Sequence, residues 1–181
     1  MALNPRWRVF NLVSEPLALI GRASRRDRLR RVEALLEMVQ LPHRLAQAYP
    51  HELTAGEQKR IGIARALATE PDFVVFDEPT TALDIRVRAQ IIDLIRSLQA
   101  RMGLSALFIT HDLNSVRSLA HNVVVLNRGR IVERGETETI FARPQEQYTR
   151  TLLAAELPIE WSEARRSAGT TPVPAVSERG A

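Results

Sequence analysis

Apolar positions along the 181 residues follow two different periods. Leu29, Val32, Leu35, Leu36 and Val39 recur at three- and four-residue steps, which predicts an amphipathic helix over 27–40. Residues 43–49 predict a second, short helix closed by Pro50. Gly56 opens a third, whose face carries Ile61, Ala64 and Leu67 and which Pro71 stops. Phe73–Phe76 is instead a continuous apolar run between prolines. Such a run suits a strand buried on both faces of a parallel sheet. Ile85, Ala89, Ile92, Ile95, Leu98 and Met102 give the next helix one apolar face, and Gly103 ends it. A strand at 105–110, a helix at 112–120 and a strand at 122–126 follow. The two strand–helix–strand units predict right-handed parallel crossovers. Asn127-Arg128-Gly129-Arg130 reads as a hairpin turn, with Ile131 to Glu133 as the return strand. Gly135-Glu136-Thr137 starts a helix reaching Ala142, and Tyr148 to Ala155 is the last helix. Near the start, Ser14 to Leu19 predicts a short helix with Pro16 in its first turn. Residues 158–181, rich in Pro, Ser, Thr, Ala and charge, predict a disordered tail. There is no internal repeat.

Composition narrows the class. Hydrophobic residues at 45% suffice for a core, and no apolar run is long enough to span a bilayer. The opening M-A-L-N-P-R-W-R lacks the basic-then-apolar order of a signal peptide. The chain has no cysteine, which excludes disulfide and thiol chemistry and fits the cytoplasm. The net charge of +4 rests almost wholly on arginine, since Lys59 is the only lysine. The basic run Arg22 to Arg31 lies on the polar side of the first predicted amphipathic helix, with no aromatic residues interleaved for stacking. It reads as a solvated face, and no nucleic-acid partner is expected. Asn4-Pro5 reads as a turn, and His51 has no second ligand at useful metal spacing.

Two positions carry candidate chemistry. The run Phe73–Phe76 ends in adjacent carboxylates, Asp77 and Glu78. Ligands in open α/β sheets sit beyond the carboxyl ends of the strands, so these acids are placed to hold a metal and activate a water. Adjacent strand residues point to opposite sides, so the two need not compete. The other position is the helix start at Gly56. A helix N-terminus offers unpaired N–H groups and partial positive charge, and glycine lets a phosphate approach closely.

The order and spacing of these motifs resemble the ATP-binding subunit of an ABC transporter. Leu53-Thr54-Ala55-Gly56-Glu57 resembles the signature loop, L-S-G-G-Q. Phe73 to Glu78 resembles the Walker B strand, Ala82 to Asp84 the D-loop, and Ile109-Thr110-His111-Asp112 the switch-histidine loop. Y-P-H-E-L before the signature and Q-Y-T-R-T-L-L near the end resemble the oligopeptide, dipeptide and nickel importer branch. A-L-N-P-R at the start resembles the sequence that follows the Q-loop there. The resemblance implies Mg2+ at Asp77, a general base at Glu78, and His111 reaching the γ-phosphate. It implies that Leu53, Thr54, Ala55, Gly56 and Glu57 meet ATP bound to the opposite subunit, and that Asp84 lies at the dimer interface. The implied partners are a second ATP-binding subunit, identical or not, and transmembrane permease subunits. The implied place is the cytoplasmic face of a bacterial or archaeal inner membrane.

Departures from the pattern shape the remaining expectations. No G-x-x-x-x-G-K-[ST] occurs, because Lys59 follows Gln58 inside the signature helix. The expected fold is therefore α/β: a P-loop NTPase-like parallel sheet with flanking helices, truncated at the N-terminus, plus a small helical subdomain. Residues 1–157 would be a partial nucleotide-binding domain, with a helical and signature subdomain over about 11–70 and Walker B to the last helices over 71–157. Alone, such a chain is expected neither to bind nor to hydrolyse ATP, and to be poorly stable with an exposed apolar edge and face. Ala55 adds a Cβ and Glu57 a charge beside a polyanion. Two like charges about 4 Å apart repel by roughly 1–4 kcal/mol, which predicts a weakened signature. Three readings compete: an importer subunit or fragment coupling ATP hydrolysis to uptake, a non-catalytic module or truncated product lending only its signature to a partner, and a soluble ABC ATPase acting on ribosomes or DNA. The lead-in and the ending favour the importer over the last.

Overall fold

The computed structural model describes residues 3–21 and 24–156. The chain divides into two compact units, Met1–His111 and Asp112–Ala181. The predicted tail at 158–181 lies outside the described residues.

The first unit opens with helices α1 (Val9–Leu19) and α2 (Arg25–Met38). Short 3₁₀ turns follow at His43–Gln47 and Pro50–Glu52, then helix α3 (Ala55–Leu67). Val9, Leu12 and Val13 of α1, Val32, Leu35 and Leu36 of α2, and Ile61, Ala64 and Leu67 of α3 are buried together as a three-helix core. Ser24 caps α2, its hydroxyl oxygen accepting the Asp27 amide at 3.2 Å. The arginine run meets acids at its edges, Arg30 with Asp27 at 2.6 Å and Arg31 with Glu70 at 2.9 Å.

Strand β1 (Phe73–Asp77), helix α4 (Ile85–Met102) and strand β2 (Ser105–Ile109) complete this unit. The strands are parallel, with Phe73 opposite Ser105 and Asp77 opposite Ile109. Asp84 caps α4 by accepting the Arg86 and Val87 amides, both at 3.0 Å. Gly103 ends it at φ +63°, a left-handed position where a Cβ is costly.

The second unit contains α5 (Leu113–Leu119), β3 (Asn122–Asn127), β4 (Arg130–Glu136), α6 (Thr137–Ala142) and α7 (Gln147–Glu156). β3 and β4 form an antiparallel hairpin whose turn residues Arg128 and Gly129 both have positive φ. Glu133 of β4 accepts the Gln145 and Glu146 amides at 2.8 and 3.2 Å, tying the start of α7 to the hairpin.

Several expectations change. The first helix spans Val9–Leu19 rather than beginning at Ser14, and Pro16 lies inside it. Burial of Val9, Leu12 and Val13 carries the helix through the hydrogen bond that Pro16 cannot make. Within the predicted 43–49 segment only His43–Gln47 is helical, and it is a 3₁₀ turn instead of an α-helix. β1 is half-buried, not buried on both faces: Val74 and Phe76 point inward while Phe73 and Val75 are 54% and 50% exposed. Among the described residues β1 has one strand neighbour, β2, whose Leu107 and Ile109 are exposed on the same face. An exposed apolar edge and face are thus present. On α4 the inward stripe is Ile91, Ile92, Leu94, Ile95 and Leu98, while Ile85 is exposed. Within the second unit β3 pairs with β4 as an antiparallel hairpin. The return strand is longer than Ile131 to Glu133, running Arg130–Glu136.

Candidate functional site

The turn before α3 is built by reciprocal capping. The Glu57 amide donates to Thr54 Oγ1 at 3.3 Å. The Thr54 amide and hydroxyl both donate to Glu57 Oε2, at 2.8 and 2.9 Å. This is a capping box, which satisfies orphan donors at a helix start. The carboxylate expected to repel a phosphate is therefore engaged at the start of its own helix, and the amides of Ala55 and Gly56 are the first-turn donors without an intrahelical acceptor. Leu53 is buried and anchors the turn from below. Gln58 Nε2 donates to the Pro50 and Leu53 carbonyls at 2.9 and 3.2 Å, locking the lead-in. Within that lead-in the Tyr49 ring carries the Arg8 guanidinium at 4.6 Å from its centroid, a cation–π contact.

Gly56 has a packing role as well. A Cβ there would fall 2.7 Å from Val87 Cγ1, so the starts of α3 and α4 touch at this point. The signature turn and the Asp84 cap are thus neighbours. Asp84 itself faces its own helix through two amides.

The second cluster lies at the carboxyl ends of β1 and β2. Asp77, the last residue of β1, is exposed. Glu78 turns sharply out of the strand with φ +49°. For a non-glycine residue this left-handed conformation costs about 1–2 kcal/mol. Pro79 disfavours the right-handed helical region for Glu78, while the left-handed conformation is held by its contacts. The surroundings hold the turn from four directions. The Glu78 amide donates to the Ile109 carbonyl at 2.9 Å. The Lys59 ammonium donates to the Glu78 carbonyl at 3.0 Å. The Thr81 hydroxyl donates to Glu78 Oε2. His111 Nδ1 lies 2.9 Å from Glu78 Oε1.

The register explains the meeting of Glu78 and His111. Asp77 and Ile109 are partners across the ladder, so the next residues of both strands emerge side by side. The Thr81 hydroxyl and then His111 hold the Glu78 carboxyl below the ordinary glutamate range, against a smaller opposing effect of burial. The group is ionised at neutral pH.

Glu78 and His111 are therefore brought together, and Leu53–Glu57 lies against the residues that follow Asp84. Two contributors escape the sequence patterns. Thr81 carries a weak signal, a hydroxyl three residues into the turn after Glu78. Lys59 carries one only in being the sole lysine.

The ABC transporter family profile matches residues 2–81, which includes the signature turn and β1 with Glu78. A Brucella ovis protein named for ATP binding in peptide import is 46% identical over 154 residues, covering 85% of this chain and 49% of the relative. A similarly named Brucella abortus protein is 46% identical over 152 residues, 84% of this chain and 46% of that one. Over these spans the chain is similar to the ABC transporter ATP-binding family. It spans about half the length of the curated relatives it matches. The family fold is also found in a solved structure, the dimeric ATP-binding cassette MJ0796 in a post-hydrolysis state bound to ADP and Pi. That structure shares 31% identity and a TM-score of 0.66, over 75% of this chain and 59% of that one. The α/β fold observed here is thus that of an ABC ATPase. Among the described residues no helix is long and apolar enough to cross a membrane.

Proposed function

We propose that this chain is part of the ATP-hydrolysing subunit of an ABC importer for peptides or similar small solutes, working at the cytoplasmic face of the membrane. The supporting observation is the Glu78 carboxylate, held by Thr81 and His111 just beyond the paired ends of β1 and β2. The names of the Brucella relatives support the cargo class.

In this reading Glu78 takes a proton from the water that attacks the γ-phosphate. His111, hydrogen-bonded to Glu78, orients that water and the transferring group. The first-turn amides of α3, with Thr54 at the cap, receive the γ-phosphate of ATP on a second ATP-binding subunit. Asp84 stiffens the start of α4 at the contact between subunits. The helical layer of α1 and α2 is the surface for the permease subunits.

A Mg2+ ion suits the donor present. Asp77 is an exposed hard oxygen ligand at a strand end, and Mg2+ is commonly held by one or two carboxylates plus substrate phosphates and waters. Among the described residues no group of three or more His, Cys, Asp or Glu forms a metal cage, so the nucleotide would supply the other ligands. When bound, the ion neutralises phosphate charge.

The test uses the assembled importer in vesicles, measuring ATPase rate and uptake of labelled peptides. Glu78→Gln is expected to lower kcat by roughly 100- to 10,000-fold while ATP still binds. Hydrolysis by Glu78→Gln at the wild-type rate would overturn the assignment.

A further inference from the structure

We propose that Lys59 is a positioning residue for Glu78, reaching from the signature helix to fix the peptide that aims the catalytic carboxylate. The inference rests on the role given to Glu78 above. Lys59 lies one turn into α3, just past the Thr54–Glu57 cap. Its half-buried side chain spans to the loop after β1 and its ammonium meets the Glu78 carbonyl at 3.0 Å.

That carbonyl needs a donor. It belongs to the peptide leading into Pro79, which pins the chain just after the strained Glu78. The Thr81 amide approaches it only at 3.4 Å, a long turn contact. The lysine bond is shorter and charge-assisted. It holds a residue whose φ of +49° is unfavourable and persists only where the surroundings over-determine it. A cavity of about 130 Å³ lies between α3 and the loop, lined by Lys59, Gly62, Thr81, Ala82 and Leu83. The loop is packed through the buried Thr80 and Leu83, and the Lys59 bond adds a polar tether at the Glu78 peptide itself.

The tether also joins two functional elements of one chain. The helix that presents the signature turn is the helix that holds Glu78. A shift of α3 along its axis is passed to the Glu78 peptide through one side chain.

The experiment compares Lys59→Met, Lys59→Gln, Lys59→Arg and Glu78→Gln with wild type in the assembled importer. Two readouts are taken: the split of ATPase activity into kcat and KM, and hydrogen exchange at the Glu78 amide. That amide donates to the Ile109 carbonyl and is the nearest exchangeable reporter of the turn. Lys59→Met is expected to lower kcat by about 10- to 100-fold, as a misplacement of about 1 Å would. KM for ATP should stay within about two-fold, as for an interaction made only in the transition state. Exchange at Glu78 should accelerate. Lys59→Arg is expected to restore both readouts and Lys59→Gln to restore them in part. A rise in KM at constant kcat would overturn the inference and make Lys59 a binding cation. Wild-type kcat in Lys59→Met, or unchanged exchange at Glu78, would overturn it as well. If wild type hydrolyses no ATP and Glu78→Gln changes nothing, the proposed function fails. The exchange measurement still decides whether Lys59 holds the turn.

Discussion

Replacing Gly56 with alanine tests whether the glycine of the signature turn is needed for packing as well as for ligand approach. The added Cβ would sit 2.7 Å from Val87 Cγ1. That is about 1 Å inside the roughly 3.5–4.0 Å optimum for two carbons. Val87 is β-branched and lies on α4, where its χ1 has one strongly preferred setting. It cannot swing aside cheaply, so the helix starts must part or a rotamer must be strained, at about 1–3 kcal/mol. Alanine's better helix propensity offsets about 0.5–1 kcal/mol of this. Gly56→Ala should therefore destabilise the protein by up to about 2.5 kcal/mol. In a Val87→Ala background the clash is gone, and the same change should be neutral or stabilise by up to about 1 kcal/mol. Urea unfolding of the four proteins in a double-mutant cycle gives the coupling, expected at about 1–3 kcal/mol. Equal effects of Gly56→Ala in both backgrounds would refute the packing argument and leave the glycine to be explained by ligand approach alone.

Other predictions concern the caps and the titration of the site. Thr54→Ala removes the α3 cap and Asp84→Ala the α4 cap, and each should cost about 1 kcal/mol in denaturant unfolding, with Thr54→Ser and Asp84→Asn retaining most of the stability. The Glu78 carboxyl titrates below its ordinary range when folded, so its contribution is present above about pH 4.3 and is lost as pH falls through the lower folded value. Wild type should therefore lose urea resistance more steeply than Glu78→Gln on acidification below about pH 5; parallel losses would show that the Thr81 and His111 contacts do not favour the ionised form.

Much of the α/β architecture was legible because local and tertiary demands agree. Asp84 before α4 and Gly103 after it mark a helix at both ends, and Asn127–Arg130 marks a hairpin through the positive φ of Arg128 and Gly129. Phe73–Phe76 shows why orientation was harder. All four residues are apolar, so nothing in the run tells that Val74 and Phe76 face inward while Phe73 and Val75 are exposed. Pro16 misplaced the start of α1, because a proline suggests a first turn and only the burial of Val9 and Leu12 outweighs it. The meeting of Glu78 with His111 depends on the pairing of Asp77 with Ile109, which the order of motifs suggests but no spacing rule fixes. Lys59 lies beyond sequence reasoning, because its partner is a backbone carbonyl 19 positions away.

The parallel ladder that joins β1 to β2 also governs which lengths of chain can change. Glu78 and His111 are separated by 33 positions, yet their contact is set by where each strand ends. An extra residue in the turn between α4 and β2 adds only loop length and leaves both strand ends in place. An extra residue inside Phe73–Asp77 moves Glu78 by a strand rise of about 3.3 Å and reverses which side it leaves from. Insertions and deletions across homologous chains should therefore gather around Gly103 and be purged from the two strands, so that gap positions rather than residue identities carry the record of this pairing.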